Sequence, residues 1–215
     1  MFLGHYGLSL AAKRAAPRTS LGLLTLAGNL ADCVWPILLL LGLERVSLVP
    51  GLMAASDFDF ESYPWSHSLL TGLLAGAALG LAVYAWKRDL AGALAVAALV
   101  PSHWLLDLPF HRPDLPLWPG GPRVGLGLWN SVPATLVLEG LFLFGGLWLY
   151  TRRTRPLDRA GSWGLWAMVG LLLLIYVGSM FSPAPTDPSV IAWSGLTLWL
   201  FVPWTAWVDR HRALA

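Results

Sequence analysis

HSLLTGLLAGAALGLAVYAWKRDLAGALAVAALVPSHWLLD, residues 67–107, consists of two apolar runs separated only by the charged turn Lys87-Arg88-Asp89. A helix needs about 20 apolar residues to cross the hydrocarbon core of a bilayer, and each run is close to that length. The stretch therefore predicts two transmembrane helices, over residues 67–86 and 90–107, joined by a short turn.

The rest of the chain repeats this pattern. Further apolar runs occupy residues 21–43, 127–151, 161–181 and 190–209, and a shorter run occupies residues 2–12. Only 12% of the 215 residues are charged, about half the charged fraction of a soluble domain. We therefore expect an all-α fold, in which residues 1–215 form one integral membrane domain of six long transmembrane helices plus a short N-terminal apolar helix. That short helix is either a tilted, thinned span or a half-helix buried among the others.

The basic residues predict the orientation. With six spans, only Arg45, Arg112 and Arg123 of the fourteen Lys and Arg residues lie on one side. Basic residues mark the cytoplasmic side of a membrane protein, so we expect a cytoplasmic C-terminus and outer loops at 44–66 and 108–126. Because these charges are sorted by side rather than pooled in a patch, no nucleic-acid partner is expected. The eleven residues on the cytoplasmic side are Lys13, Arg14, Arg18, Lys87, Arg88, Arg152, Arg153, Arg155, Arg159, Arg210 and Arg212.

Ionisable residues inside the apolar runs need a reason, because an unpaired charge in hydrocarbon costs several kcal/mol. The rise per residue of a helix places the ionisable residues that precede Glu139 in these runs in the middle or outer half of the membrane. His103 and Asp107 are four residues apart and share a helix face, although this pair alone also fits a local ion pair. We expect Glu139 either to contact the site residues without being a ligand itself, or to pair with an interior Arg or hydroxyl. The principal set is His5, Asp32, His67, His103 and Asp107.

Three imidazoles and two carboxylates at compatible depth predict a metal site. Nitrogen and oxygen donors of this kind bind borderline divalent ions, and the ion would offset the charge of the aspartates. We expect all five residues to be ligands and zinc to be the ion. A purely structural polar network is the alternative. We also expect the N-terminal segment to pack against the first long span with His5 facing Asp32, and Pro36 to kink that span.

The outer loops contain candidate catalytic residues. His111 has an ordinary pKa near neutrality and suits a general acid or base. Arg112 has a planar fork of donors that suits a phosphate or carboxylate, although it is equally suited to anchoring in headgroups. Asp59 belongs to a small acidic cluster before His67 and is placed to fold back over the site, although most such clusters are only solvated.

The order of these residues resembles a known family. Gly4-His5, then Asp32, Ser66-His67-Ser68 and Ser102-His103-x-x-x-Asp107 are similar to the motifs of the predicted membrane-bound metal-dependent hydrolases of bacteria. The ligand order is also distantly similar to that of zinc-dependent phospholipases C. The resemblance covers roughly residues 4 to 119, and implies a bacterial inner-membrane location and a metal-dependent hydrolase.

Two functions of different classes follow from these residues. The first is a hydrolase that acts on an ester or phosphoester of a lipid or lipid-linked substrate, with its site in the outer half of the bilayer. The second is a transporter or permease that uses the same buried His and Asp groups as an ion or proton relay. The chain has no clear inverted repeat, which argues against the second.

Overall fold

The computed structural model describes residues 1–182, 185, 187 and 189–215. The described residues form nine α-helices, two 3₁₀ turns and three short two-stranded sheets. The helices are α1 Leu3–Ala12, α2 Leu21–Gly28, α3 Leu30–Leu40, α4 Leu69–Lys87, α5 Leu90–Asp107, α6 Val132–Arg153, α7 Arg159–Phe181, α8 Ser189–Gly195 and α9 Phe201–Arg210. The strands are β1 Arg45–Met53, β2 Ser56–Ser62, β3 Leu115–Pro116, β4 Arg123–Val124, β5 Thr154–Pro156 and β6 Arg212–Leu214, and the 3₁₀ turns are Leu128–Asn130 and Leu196–Leu200.

Five helical segments are long and apolar enough to cross a membrane. They are α4, α5, α6, α7 and the segment Ser189–Arg210, which joins α8 to α9. Their outward faces carry large apolar side chains; Leu81 on α4 and Leu94 on α5, for example, are 70% and 60% exposed. Contiguous apolar surface of this kind is rare on soluble monomers and is suited to contact with acyl chains. The helices therefore fit a protein that resides in a membrane.

The run at residues 21–43 was predicted as one long helix, and the structure shows two. Helices α2 and α3 meet at an angle of 57°, and Asn29 between them has the non-helical φ and ψ angles −115° and 16°. The Asn29 side chain donates to the Thr25 carbonyl at 2.9 Å, a local bond of the kind with which asparagine competes against helix continuation. The break lies before Pro36, which is inside α3. Helices α2 and α3 therefore form a bent pair, which fits either a broken span or a re-entrant loop.

Helix α1 is the predicted half-helix buried among the others. It has ten residues, seven of them buried, and at 1.5 Å per residue it is only about 15 Å long. It packs against α2 and α6. The approach to α6 is close, because a Cβ atom added to Gly146 would lie 1.8 Å from the carbonyl oxygen of Gly7. Only glycine allows two helix backbones to come this near.

The helix ends that carry the clustered basic residues meet at one end of the bundle. Lys13, which follows α1, donates to Asp209 of α9 at 2.6 Å. Thr19 lies 3.5 Å from Asp89, which precedes α5, and β5 pairs with β6. We refer to this as the basic end. Because α5 begins there and runs the length of the bundle, its last turn lies at the opposite end, which we call the site end.

The chain is mainly helical as predicted, but the segments 44–66 and 108–126, which were predicted as loops, contain short strands. Strands β1 and β2 form an antiparallel hairpin within residues 44–66, and β3 pairs with β4 within residues 108–126. The alternating sequence DFDFE at residues 57–61 is typical of a strand. Phe60 of β2 packs with Trp35 of α3 and Trp104 of α5. The hairpin thereby covers the site end of the bundle.

Candidate metal centre

The structure brings all five predicted ligands together at the site end. His5 Nε2 lies 3.1 Å from Asp107 Oδ1, and His103 Nε2 lies 3.2 Å from Asp107 Oδ2. His103 Nε2 also lies 3.6 Å from Asp32 Oδ1, which is 3.4 Å from His67 Nε2. We refer to His5, Asp32, His67, His103 and Asp107 as the metal-site cluster. His5 and Asp32 do not touch directly; both contact His103.

The spacing of the donor atoms suits a metal ion. Donors arranged tetrahedrally around an ion, with bonds of about 2.1 Å, lie about 3.4 Å apart. The neighbouring donors of the cluster are separated by almost this distance. Two sets of three have ligand atoms that all lie within 4.8 Å of one another: His5, His103 and Asp107, and Asp32, His67 and His103. Because one imidazole nitrogen binds one ion, sets that share His103 Nε2 are not two independent sites.

The hydrogen bonds of His103 determine which of its nitrogens can bind an ion. Its Nδ1 lies 3.0 Å from the Gly28 carbonyl oxygen. A carbonyl only accepts, so Nδ1 carries the proton and Nε2 of the neutral ring has a lone pair. That Nε2 is buried without a hydrogen-bond partner among the described residues. Gly28 is the last residue of α2, and the helix end leaves its carbonyl available. The break between α2 and α3 therefore orients His103.

His67 is oriented in the same way by two residues outside the helices. Its Nδ1 lies 2.7 Å from Ser66 Oγ, and Ser66 Oγ donates to Glu44 Oε2 at 2.6 Å. Since the single hydroxyl proton is used on the carboxylate, Ser66 accepts from His67 Nδ1–H. Glu44 also accepts from the backbone N–H groups of Trp65 and Ser66 at 2.8 and 2.9 Å. The Nε2 lone pair of His67 is consequently directed at Asp32.

His5 is held by packing rather than by a hydrogen bond to Nδ1. Its ring stacks on that of His103 with centroids 3.6 Å apart, while its Nδ1 has no partner among the described residues. Glu139 accepts from the backbone N–H groups of Phe2 and Gly4 at 2.7 and 2.9 Å. It thus caps the start of α1 from α6, instead of pairing with an arginine or hydroxyl. The backbone nitrogen of Met1 lies 2.6 Å from Asp107 Oδ1.

The predicted catalytic residues lie at two different positions. His111 lines the same cavity as Asp32 and Asp107, and its Nδ1 lies 3.0 Å from Asp114 Oδ1. Arg112 and Asp59 pair with each other at the surface, about one third exposed, and do not line that cavity. Burial lowers the pKa of His111, so that its ring is neutral near pH 7.

Asp114 connects these two positions. It accepts from the Tyr63 hydroxyl at 3.0 Å and from Arg112 Nε at 3.2 Å, in addition to its contact with His111. Burial and the Asp114 carboxylate together raise the pKa of Tyr63, which therefore stays protonated and donates. Asp114 is thus placed to orient His111, with Nδ1–H toward the carboxylate and Nε2 free.

A cavity of about 410 Å³ extends from the metal-site cluster. Asp32, His67 and Asp107 line its polar part. Its remaining wall is mainly apolar and includes Trp35 of α3 and Phe58 of β2, as well as Ile175 of α7 and Ile191 of α8. The arrangement places buried carboxylates and imidazoles beside an apolar channel.

Glu44 and Asp114 were not identified as functional from the sequence. Asp114 lies three residues after His111, a spacing at which a carboxylate often contacts a histidine, and this signal was available. Glu44 is 22 residues before Ser66 in the chain and only 2% exposed. No local pattern predicts that contact, because it depends on how the hairpin folds back.

Comparison with known proteins provides no relative of this chain. No protein-family model, no curated protein and no solved structure matches it. The functional argument therefore rests on the geometry of the described residues.

Proposed function

We propose that the chain is a membrane-embedded, metal-dependent hydrolase that cleaves an ester or phosphoester of a lipid or lipid-linked substrate. The observation that carries this proposal is the environment of His103. Its Nε2, which has a lone pair when the ring is neutral, faces carboxylate oxygens of Asp32 and Asp107, at 3.6 and 3.2 Å. His103 and Asp107 are buried and Asp32 is partly exposed; acceptors that face one another here would repel, and their burial would make this costly. A divalent cation among them converts the repulsion into coordination.

Zinc is the ion that we propose. Three histidines with carboxylates are a donor set found in catalytic zinc sites. Gly28 and the pair Glu44 and Ser66 supply the acceptors for Nδ1 that metal-bound histidines usually have. When bound, such an ion lowers the pKa of a water ligand and polarises an ester or phosphoryl oxygen.

The other roles are assigned to the chain's own residues. His111 accepts and returns a proton at Nε2, while Asp114 holds the proton of Nδ1 and fixes the ring. Arg112 binds the anionic part of the substrate with its planar guanidinium. To bind the substrate, the Arg112 side chain turns from Asp59 toward the site. Asp59 is its partner when no substrate is bound.

The apolar wall of the cavity favours a substrate with a hydrocarbon chain. A chain lying against α7 and α8 would place its head at the metal-site cluster, at the opposite end from the basic residues. The positive-inside rule then assigns the basic end and the C-terminus to the cytoplasm. The cluster accordingly faces the outer half of the membrane, and the resemblance to bacterial hydrolases makes this the inner membrane.

A transporter is the second candidate, and the break between α2 and α3 favours it. Discontinuous helices at buried ionisable groups form the substrate and ion sites of many transporters. The break here leaves the Gly28 carbonyl available to accept from His103 Nδ1–H, however, and so contributes to the orientation of a proposed ligand rather than to an open path. Ion or proton flux in liposomes without hydrolysis would select this candidate.

The test combines metal content with hydrolysis. The full chain is purified in detergent, its metal content is measured by mass spectrometry before and after chelation, and it is then placed in liposomes containing ester and phosphoester lipids. We expect a stoichiometric divalent ion, lipid cleavage that stops on chelation and returns with Zn²⁺, and an Arg112→Ala variant with normal metal and reduced turnover. Wild-type protein that never retains a stoichiometric ion would exclude the proposal.

A further inference from the structure

A second pocket lies at the basic end, far from the metal-site cluster. It has a volume of about 430 Å³ and is lined by Arg14, Leu149, Arg152 and Arg153, which we refer to as the basic groove. Arg14 follows α1, and the other three belong to the last turns of α6. The groove therefore lies between two packed helices at the level where α6, a candidate span, ends.

The positive charge of the groove is not balanced by the protein. None of the ion pairs among the described residues includes any of the three arginines. Arg153 is only partly exposed, and its Nε–H is buried without a hydrogen-bond partner in that part of the chain. The guanidinium of Arg152 lies 5.4 Å from the Trp148 ring, so its side chain is held beside the groove. A buried donor without an acceptor is costly, and an anion in the groove would supply one.

The position and shape of the groove indicate the kind of anion. The end of a transmembrane helix lies at the depth of lipid headgroups. Basic pockets between transmembrane helices on the cytoplasmic side bind anionic lipid headgroups. The C-terminal dipole of α6 opposes an anion with only about half an elementary charge, against three guanidinium groups. Guanidinium groups match the geometry of phosphate oxygens.

We propose that the basic groove binds the headgroup phosphate of an anionic phospholipid between α1 and α6. Arg152 and Arg153 donate to the phosphate oxygens, Arg14 closes the site from α1, and Leu149 contacts the start of an acyl chain. The bound lipid joins the two helices at the basic end, and its binding is independent of the hydrolase proposal.

The experiment measures the thermal stability of the detergent-purified full chain during titration with phosphatidylglycerol, phosphatidylcholine or inorganic phosphate. We expect phosphatidylglycerol alone to raise the Tm of the wild type. Each arginine removed weakens such binding about fivefold, so the double variant R152Q/R153Q should bind roughly 30-fold more weakly. Arg14→Gln, an exposed and structurally mild change, should show the single fivefold effect.

Arg159→Gln is the matched control, since Arg159 is exposed at the start of α7 on the same basic end but does not line the groove. It should bind phosphatidylglycerol as the wild type does. Equal binding by the wild type, R152Q/R153Q and Arg14→Gln would overturn the proposal. Protection by inorganic phosphate at concentrations like those of the lipid would overturn the assignment to a lipid.

Discussion

The two ends of the bundle each bury a group of charged residues, and the groups differ in how their hydrogen bonds are completed. At the basic end, Lys13 donates to Asp209 at 2.6 Å and to the Thr19 carbonyl at 2.8 Å. Asp209 also accepts from the Leu21 N–H and the Tyr150 hydroxyl. Every contact of this Lys13–Asp209 pair joins a donor to an acceptor.

The metal-site cluster is incomplete by the same criterion. When both rings are neutral, His67 and His103 donate their protons to Ser66 and Gly28, and both Nε2 lone pairs then face carboxylates, which only accept. A buried group of charges with all its bonds made is part of the architecture. One whose lone pairs converge could hold a cation, and this difference distinguishes a structural ion pair from a candidate metal site.

The largest expected effect is on metal retention. His103→Ala removes the donor that both sets of three share, so the bound ion should fall from stoichiometric to background. Its counterpart at the basic end, Lys13→Met, should leave the metal content unchanged. Metal content per chain, measured by mass spectrometry on folded protein, checks both variants. A His103→Ala protein that keeps its ion would show that the cluster is not the site.

The second expected effect is on stability at the basic end. Lys13→Met leaves the Asp209 carboxylate buried without its cation, and removing one partner of a buried ion pair costs about 3 kcal/mol. Denaturant unfolding in mixed micelles measures the loss. The double change Lys13→Met with Asp209→Asn should recover much of it, whereas no recovery would contradict the structural role assigned to this pair.

A smaller effect is expected where α1 meets α6. Gly146→Ala places a Cβ atom against the Gly7 carbonyl, and overpacking of this kind costs about 1–3 kcal/mol. It should also weaken metal binding, because α1 carries His5. Gly145→Ala is the matched control, since a Cβ there has no neighbour within 4 Å, and it should change neither property. Equal stabilities of the two variants would contradict the close approach of the helices.

The smallest expected effect concerns the orientation of His67. Ser66→Ala removes the acceptor of its Nδ1 proton but leaves every metal-site residue in place. Loss of such an orienting contact typically weakens metal affinity by about tenfold or more. Competition with a chelator of known affinity measures the change. An unchanged affinity would remove Glu44 and Ser66 from the site.

The sequence alone predicted the membrane character, most of the long helices and the five residues that the structure brings together in the metal-site cluster. Length and apolar content are local properties that a bilayer requires directly, and buried charges in apolar runs are few enough to be conspicuous. The β1–β2 hairpin was not predicted, although the alternation at residues 57–61 indicated a strand, because the expected class was all-α.

Only the tertiary structure determined which atoms of those residues are available. The contact of the Gly28 carbonyl with His103 and that of Glu44 with Ser66 join residues 75 and 22 positions apart in the chain. Such contacts depend on how helices cross and how the hairpin folds back, and no local pattern encodes them. A sequence predicts that a histidine lies within an apolar helix, but the residues around it in the fold determine which ring nitrogen carries the proton.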